Sequence, residues 1–223
     1  MLDRRQPVAQ VVLEHSECAR VFQRHRIDFC CHGERSVLQA AQARKLDVAT
    51  LMAELEAAIQ ARSVSGDQDP RALTTPQLIA HIVNKHHAYL RENLPLIQTL
   101  AAKVSRVHGE HNLKLRVLAA VVEELAETLL PHLEEEERRL FVALDTPRSD
   151  PAEIESQLAA MRDEHLGVAG LLAHLHDTTD EFTLPPWACN SYRTLFRELM
   201  ALESDIMTHV HLENHVLAPR FVA

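Results

Sequence analysis

Residues 131–136 read Pro-His-Leu-Glu-Glu-Glu, and the His-x-x-x-Glu spacing inside them recurs near the C-terminus. One pair is His132 with Glu136, and the other is His209 with Glu213. Four residues turn a helix by about 400°, so each pair lies on one face of a helix, one turn apart. An imidazole and a carboxylate presented together suit a hard or borderline metal ion. The two segments therefore predict a metal site shared by two helices.

Composition indicates an all-α protein with a sizeable core. The 223 residues include 46% hydrophobic and 25% charged side chains, but only 4% aromatic side chains and five glycines. This length provides for one good core and a small second unit. The formal charge of −9 argues against nucleic acid or an anionic membrane surface as the main partner. We expect no nucleic-acid partner and no membrane partner.

The chain also predicts a cytoplasmic location. Residues 1–7 carry charges with no apolar run behind them, so no secretory signal is expected. No apolar stretch approaches the length of a membrane span. The four cysteines do not form a zinc or disulfide framework, and thiols persist in a reducing cytoplasm.

A segment of small, polar and turn-forming residues divides the chain into two predicted domains. Residues 1–62 form a small helical Cys-Cys domain with four helical segments, the second of them capped by Ser16. Residues 63–73 are the predicted linker, because residues 63–70 are small and polar and include Gly66 and Pro70. Residues 74–223 contain four long amphipathic segments whose apolar residues step by three or four. Because the turns between these segments are short, they predict an up-down four-helix bundle.

Six polar residues interrupt the apolar stripes at core positions. They occur as a His followed by a His-x-x-x-Glu, twice over, and they are His87, His132, Glu136, His165, His209 and Glu213. The two halves have nearly the same spacing, which suggests a repeated helix pair with pseudo-twofold symmetry. Because a buried carboxylate is costly unless something cationic neutralises it, the set predicts a metal centre.

The donor types indicate which metal. Four imidazoles and two carboxylates without a thiolate favour iron or manganese over structural zinc. Two ions would each receive two imidazoles, with the carboxylates bridging between them. Six ligands on two ions leave room for an oxo or hydroxo bridge and an exchangeable position, which makes the site accessible to O2 or NO. No catalytic residue is predicted.

The remaining polar residues near these pairs have simpler interpretations. His211 and His215 are predicted to face solvent, and the neighbouring Glu134, Glu135 and Glu137 to form a solvated face. His86, His174 and His176 stay unassigned, although His176 is too far along its helix to join the centre. Pro131 either kinks its helix or marks the point where it restarts.

Cys30 and Cys31 are adjacent in a turn at residues 28–33. They are equally compatible with two small apolar groups in a core and with a thiol pair for redox chemistry or transient metal handling. Cys18 and Cys189 lie in no motif.

The turn at residues 28–33, Asp-Phe-Cys-Cys-His-Gly, is similar to the Asp-aromatic-Cys-Cys-Gly-Gly of a known family. This is the family of iron-sulfur cluster repair di-iron proteins (RIC), which join an ScdA-type N-terminal domain to a hemerythrin-like domain. The alanine-rich residues 37–41 and the closing residues 212–220 also resemble that family. The resemblance covers essentially the whole chain, although His32 replaces the first glycine.

The resemblance implies a ligand set and a function. The six polar residues named above fall on the positions that bind the family's non-haem di-iron centre, two iron ions bridged by carboxylate and by oxo or hydroxo. The family implies a stress protein that repairs iron-sulfur clusters damaged by nitric oxide or peroxide, by supplying iron to client proteins. Cys30 and Cys31 would then be redox or iron-transfer thiols. Oxygen-carrying hemerythrins have a His-x-x-x-His on the third helix. Here the residue four positions after His165 is Ala169, not a histidine.

Two other functions stay open. The centre could bind NO or reduce it, or the bundle could sense O2, NO or iron and report to a partner. Activity as a classical enzyme is not expected, apart from NO-reductase-type chemistry. A homodimer is a further hypothesis, since the small first domain needs a surface to pack on.

Overall fold

The computed structural model describes residues 2–61, 69–146 and 150–221. Within these residues the secondary structure is helical, with no strand and one isolated bridge between Pro7 and Ser36. The prediction of an all-α fold is therefore confirmed. None of the helices in the described ranges combines the length and apolarity needed to cross a bilayer.

The chain forms two compact units. The first contains Met1–Thr74 together with Met207–Ala223, and the second contains Thr75–Ile206. The helices of the first unit before residue 62 are α1 (Val8–Glu14), α2 (Ala19–Arg24), α3 (Val37–Ala43) and α4 (Val48–Gln60).

Local capping explains where α3 and α4 begin. Ser36 and Gln39 form a reciprocal capping box, in which the Ser36 Oγ accepts from the Gln39 N–H at 3.2 Å. Asp47 accepts from the Thr50 N–H at 2.9 Å. Each such cap contributes about 1 kcal/mol. The predicted cap at Ser16 is wrong: a 3₁₀ turn begins at that residue, and α2 follows without a side-chain cap.

The predicted linker, residues 63–73, lies partly outside the described residues. Its last part contains a 3₁₀ turn, Pro70–Ala72, whose start is held by Asp69 accepting from the Arg71 N–H at 2.9 Å.

The second unit is a helical bundle. Its helices are α5 (Thr75–His81), α6 (Ala88–His108), α7 (Lys114–Glu135), α8 (Phe141–Asp145), α9 (Pro151–Thr179) and α10 (Asn190–Leu212), the last of which extends beyond this unit at its C-terminal end. Helix α7 packs against both α6 and α9. Fully buried leucines such as Leu94, Leu125 and Leu199 come from the predicted apolar stripes. The bundle class predicted from those stripes is confirmed.

Helix α7 continues through Pro131 without restarting. Proline removes the hydrogen bond to the carbonyl four residues earlier, which here belongs to Glu127. Pro131 and Glu127 are both exposed, so water can satisfy that carbonyl. The helix therefore carries Leu129 and His132 on one continuous inner face.

Candidate metal centre

Four of the six predicted ligands meet inside the second unit. His87, His132, Glu136 and His165 are all buried, with exposed fractions between 0% and 5%. His87 lies between α5 and α6, His132 on α7, Glu136 directly after α7, and His165 on α9. Ligand atoms of His132, Glu136 and His165 lie within 4.8 Å of one another.

Glu136 is the centre of this group. Its Oε1 lies 3.3 Å from the Nε2 of His132 and 4.0 Å from the Nε2 of His165. Its Oε2 lies 3.5 Å from the Nε2 of His87. One carboxylate oxygen therefore faces two imidazoles and the other oxygen faces a third. Both oxygens of this carboxylate therefore lie among candidate ligand atoms.

The imidazoles are oriented by carboxylates on their outer side. The Nδ1 of His87 lies 2.7 Å from Glu137 Oε1, and the Nδ1 of His132 lies 2.5 Å from Glu164 Oε2. A histidine that donates its Nδ1–H to a carboxylate keeps the Nε2 lone pair for a metal. The geometry therefore assigns the Nε2 atoms, which point at Glu136, as the ligand atoms.

Glu137 was predicted to belong to a solvated face, and that prediction is wrong. It is half-buried and also accepts from the Arg91 guanidinium at 2.7 Å. Burial works to raise the pKa of Glu137, but the hydrogen bonds from Arg91 and His87 outweigh it, so the pKa is lowered. Glu134 and Glu135 are exposed, as predicted.

The donor atoms fit a cation. His132 Nε2 and His165 Nε2 are 3.2 Å apart, and two lone pairs at that distance repel unless one nitrogen carries a proton. A cation between them would replace that proton and be held by both nitrogens. Imidazole nitrogen and carboxylate oxygen, with no thiolate in this group, suit iron or manganese.

The second His-x-x-x-Glu pair lies in the first unit and is equally buried. His209 and Glu213 have exposed fractions of 0%, and His209 Nε2 lies 2.9 Å from Glu213 Oε1. The two side chains lie one turn apart on one face, as the spacing predicted.

Three of the helical segments change to a π-helical turn where a predicted ligand lies. These turns are Ile82–His87, Glu136–Leu140 and Glu213–Leu217, so one ends at His87 and the others begin at Glu136 and Glu213. A π-helical turn inserts an extra residue into the helix and occurs often at functional sites. The sequence pattern gave no signal for this feature.

His211 and His215 do not face solvent, so that prediction is also wrong. His211 is 3% exposed and its Nδ1 lies 3.3 Å from the carbonyl of Phe29. Burial, reinforced by the neighbouring charge of His215, lowers the pKa of His211 to about 3, although the backbone hydrogen bond acts in the opposite direction. His215 is half-buried and its Nε2 lies 2.8 Å from the carbonyl of Cys30.

The unassigned histidines have other partners. His86 is buried and its Nδ1 lies 2.8 Å from Asp205 Oδ1. His176 Nε2 lies 2.6 Å from Glu203 Oε1, while His174 is exposed.

Cys30 and Cys31 lie side by side in the turn, with Sγ atoms 3.8 Å apart. Cys30 is 4% exposed and Cys31 is half-buried. The hydrogen bond with Cys31, burial and the charge of Asp28 raise the pKa of Cys30 well above that of an ordinary thiol. The Cys30 carbonyl also accepts from the Asn214 side-chain amide at 3.1 Å. Through Asn214 and His215, the thiol turn is attached to the two residues that follow Glu213.

Comparison with known proteins agrees with this architecture. Residues 4–59 match ScdA_N, described as a domain of unknown function (DUF542), and residues 78–221 match the hemerythrin HHE cation binding domain. Two similar relatives are the iron-sulfur cluster repair proteins YtfE of Yersinia pseudotuberculosis serotype IB (strain PB1/+) and Yersinia pestis (strain Pestoides F). Each is 34% identical over 217 residues, which cover 97% of this chain and 96% of the relative. The chain therefore belongs to the family of iron-sulfur cluster repair proteins that join an ScdA-type N-terminal domain to a hemerythrin-like cation-binding domain.

Proposed function

We propose that this protein repairs damaged iron-sulfur clusters by supplying iron from a di-iron centre. The observation that carries the proposal is the position of Glu136, whose two oxygens face different imidazoles inside a buried cluster. Carboxylate oxygens that face different imidazoles suit a carboxylate shared between two ions. The relatives named as iron-sulfur cluster repair proteins support the biological role.

The proposed ligands are the six residues that the sequence pattern selected. In the second unit, the iron would be held by His87, His132, Glu136 and His165, which meet there. His209 and Glu213, which are paired in the first unit, are the other two proposed ligands. Their complete burial and the His-x-x-x-Glu spacing shared with His132 and Glu136 support this assignment.

When bound, the ferrous ions would be the cargo that the protein donates. Their unfilled coordination positions would admit small ligands. The chain's own part is to hold that cargo without a closed cage. Mixed imidazole and carboxylate ligation without a thiolate holds ferrous iron less tightly than a closed cage does. Glu137 and Glu164 keep the Nε2 atoms of His87 and His132 directed inward, so the empty site remains formed for reloading.

The proposed division of labour follows the two domain boundaries that the sequence predicted. Residues 74–223 store iron, and residues 1–62 contribute the thiols Cys30 and Cys31 for transfer to a cytoplasmic client. Attachment of the thiol turn to Asn214 and His215, next to Glu213, supports a connection between storage and transfer.

Repair can be tested with a dehydratase whose iron-sulfur cluster has been damaged by NO. The iron-loaded protein is expected to restore its activity, with iron moving from one protein to the other. Glu136→Gln and Glu213→Leu are expected to lose both iron and repair while helicity is largely retained. Glu134→Gln, which changes an exposed carboxylate on the same helix as His132, is the matched control.

Two results would contradict the proposed function or its ligands. If the loaded protein consumes NO rapidly but restores no dehydratase, the proposal fails in favour of NO chemistry at the centre. If Glu213→Leu keeps its full iron content, the assignment of Glu213 as a ligand is wrong.

A further inference from the structure

A second group of metal-binding side chains lies in the turn at residues 28–33, within the first unit. Ligand atoms of Asp28, Cys30 and Cys31 lie within 4.8 Å of one another. Nothing in the His/Glu centre uses these atoms. The group joins two thiols and a carboxylate, a softer donor set than four imidazoles and two carboxylates.

The distances between these ligand atoms are close to those in a tetrahedral metal site. With metal–sulfur bonds of about 2.3 Å, two sulfur ligands in a tetrahedron lie about 3.8 Å apart, and the two Sγ atoms are 3.8 Å apart. The same construction places a carboxylate oxygen about 3.6 Å from each sulfur, and Asp28 Oδ1 lies 3.2 Å from the Cys30 Sγ. Only small movements are needed to admit an ion.

The turn is held in this conformation before any ion binds. Asp28 Oδ1 accepts from the backbone N–H of Cys30 at 3.0 Å and of Cys31 at 2.8 Å. On the other side, the Cys30 carbonyl is held by His215. Gly33 lets the turn approach closely, because an added Cβ would lie 2.8 Å from the ring of His215. A site that is already formed loses little entropy on binding.

His32 belongs to the same group. Its Nδ1 lies 2.7 Å from Asp28 Oδ2, the oxygen that does not face the thiols. A partner of this kind orients a ligand carboxylate, and its removal typically costs ten- to a hundredfold in metal affinity. The side chain is 42% exposed, so the site is accessible from solvent on the side of His32 and Cys31.

We infer that Asp28, Cys30 and Cys31, oriented by His32, form a mononuclear site for a thiophilic divalent cation, separate from the His/Glu centre. Three protein ligands leave the fourth tetrahedral position open to water or another ligand, unlike the four protein ligands of a structural site. Binding replaces the two thiol protons, which leave to solvent, and involves no change of oxidation state. Only the identity of the natural cargo, ferrous iron, rests on the proposed function.

Co²⁺ is the probe, because thiolate-to-cobalt charge transfer absorbs in the near ultraviolet whereas imidazole and carboxylate ligation does not produce that band. The reduced, metal-free, full-length protein is titrated anaerobically. The band is expected to saturate by three equivalents of Co²⁺ per chain, because the His/Glu centre takes up to two without producing it. It should disappear in the double variant Cys30→Ser/Cys31→Ser and persist in Cys189→Ser. His32→Ala should weaken Co²⁺ binding ten- to a hundredfold.

Absence of the band from the unmodified protein, or its persistence in the double serine variant, would overturn the inference. A second measurement uses the unmodified chain, so it does not depend on how a variant folds. Three equivalents of Zn²⁺, enough to fill the His/Glu centre as well, should slow alkylation of Cys31 while the exposed Cys189 reacts at an unchanged rate. Equal rates at Cys31 with and without Zn²⁺ would contradict the site. A protein that fails to repair clusters yet shows the cobalt band would refute the proposed function and leave this site standing.

Discussion

Replacing Glu137 by glutamine tests whether the carboxylate behind His87 strengthens metal binding. Glu137 accepts from His87 Nδ1 at 2.7 Å, and glutamine can still accept there through its carbonyl oxygen. What is lost is the negative charge. A hydrogen bond to a charged group contributes roughly 1.5–3 kcal/mol, compared with 0.5–1.5 kcal/mol for a neutral one. The difference of about 1–1.5 kcal/mol corresponds to roughly five- to thirteenfold weaker binding.

The structure also predicts a ranking. Glu164 makes the same contact with His132 but its side chain is 50% exposed, compared with 28% for Glu137. Solvent screens an exposed ion pair, so Glu164→Gln should weaken binding by only about two- to fivefold. Glu134→Gln is the control, since Glu134 is exposed and pairs with Arg138.

The assay is an anaerobic competition between the protein and a chromophoric chelator for ferrous iron. The expected order of affinities is unmodified protein and Glu134→Gln, then Glu164→Gln, then Glu137→Gln. If Glu137→Gln binds iron as tightly as the unmodified protein, the outer carboxylate does not strengthen the ligand. If Glu134→Gln loses as much affinity, the effect is one of general surface charge.

Three further predictions concern stability. Gly33→Ala should destabilise the protein by about 1–3 kcal/mol in urea unfolding, because its Cβ would lie 2.5 Å from the Cβ of Ala9 and 2.6 Å from the carbonyl of Phe29; an unchanged midpoint would show that the turn relaxes freely. Gly167→Ala, at an exposed position inside α9 where a Cβ meets nothing within 4 Å, should stabilise by about 0.5–1 kcal/mol, and a loss of stability there would contradict the helix assignment. Burial raises the pKa of Cys18 to about 12, and the unfolded thiol ionises near 8.5, so the folded state holds its proton more tightly and stability is lost as pH rises through this window. Between pH 8.5 and 10, the free energy of unfolding of Cys18→Ala should therefore fall by about 1–2 kcal/mol less than that of the unmodified protein. The free energy of unfolding of Cys189→Ala should change with pH as that of the unmodified protein does.

The helices and the inner ligands could both be predicted from periodicity, because both depend on which face of a helix is buried. An apolar stripe marks the buried face, and a histidine or glutamate on that face must have a partner. His87, His132, Glu136 and His165 all lie where the interrupted stripes placed them. The same logic could not find Glu137, which lies beside Glu136 in an acidic run that any solvated helix would show.

The failures arise where contacts are made between distant segments of chain. His211 lies on the rear of its helix by periodicity, yet Phe29 covers it from a segment that is far away in sequence. Nothing in the local pattern around His211 records that contact. The π-helical turns could not be predicted for a different reason. An inserted residue changes the phase of a helix by about 100°, and the spacing of the apolar residues tolerates that shift over one turn.

The proposed function requires that the buried imidazoles and carboxylates hold two iron ions. The most direct test is the metal content of the protein purified anaerobically, without added metal, measured by elemental analysis against protein concentration. We expect two iron ions per chain, falling to near zero in Glu136→Gln and unchanged in Glu134→Gln. Zinc in place of iron, a single iron ion per chain, or full iron content in Glu136→Gln would contradict it.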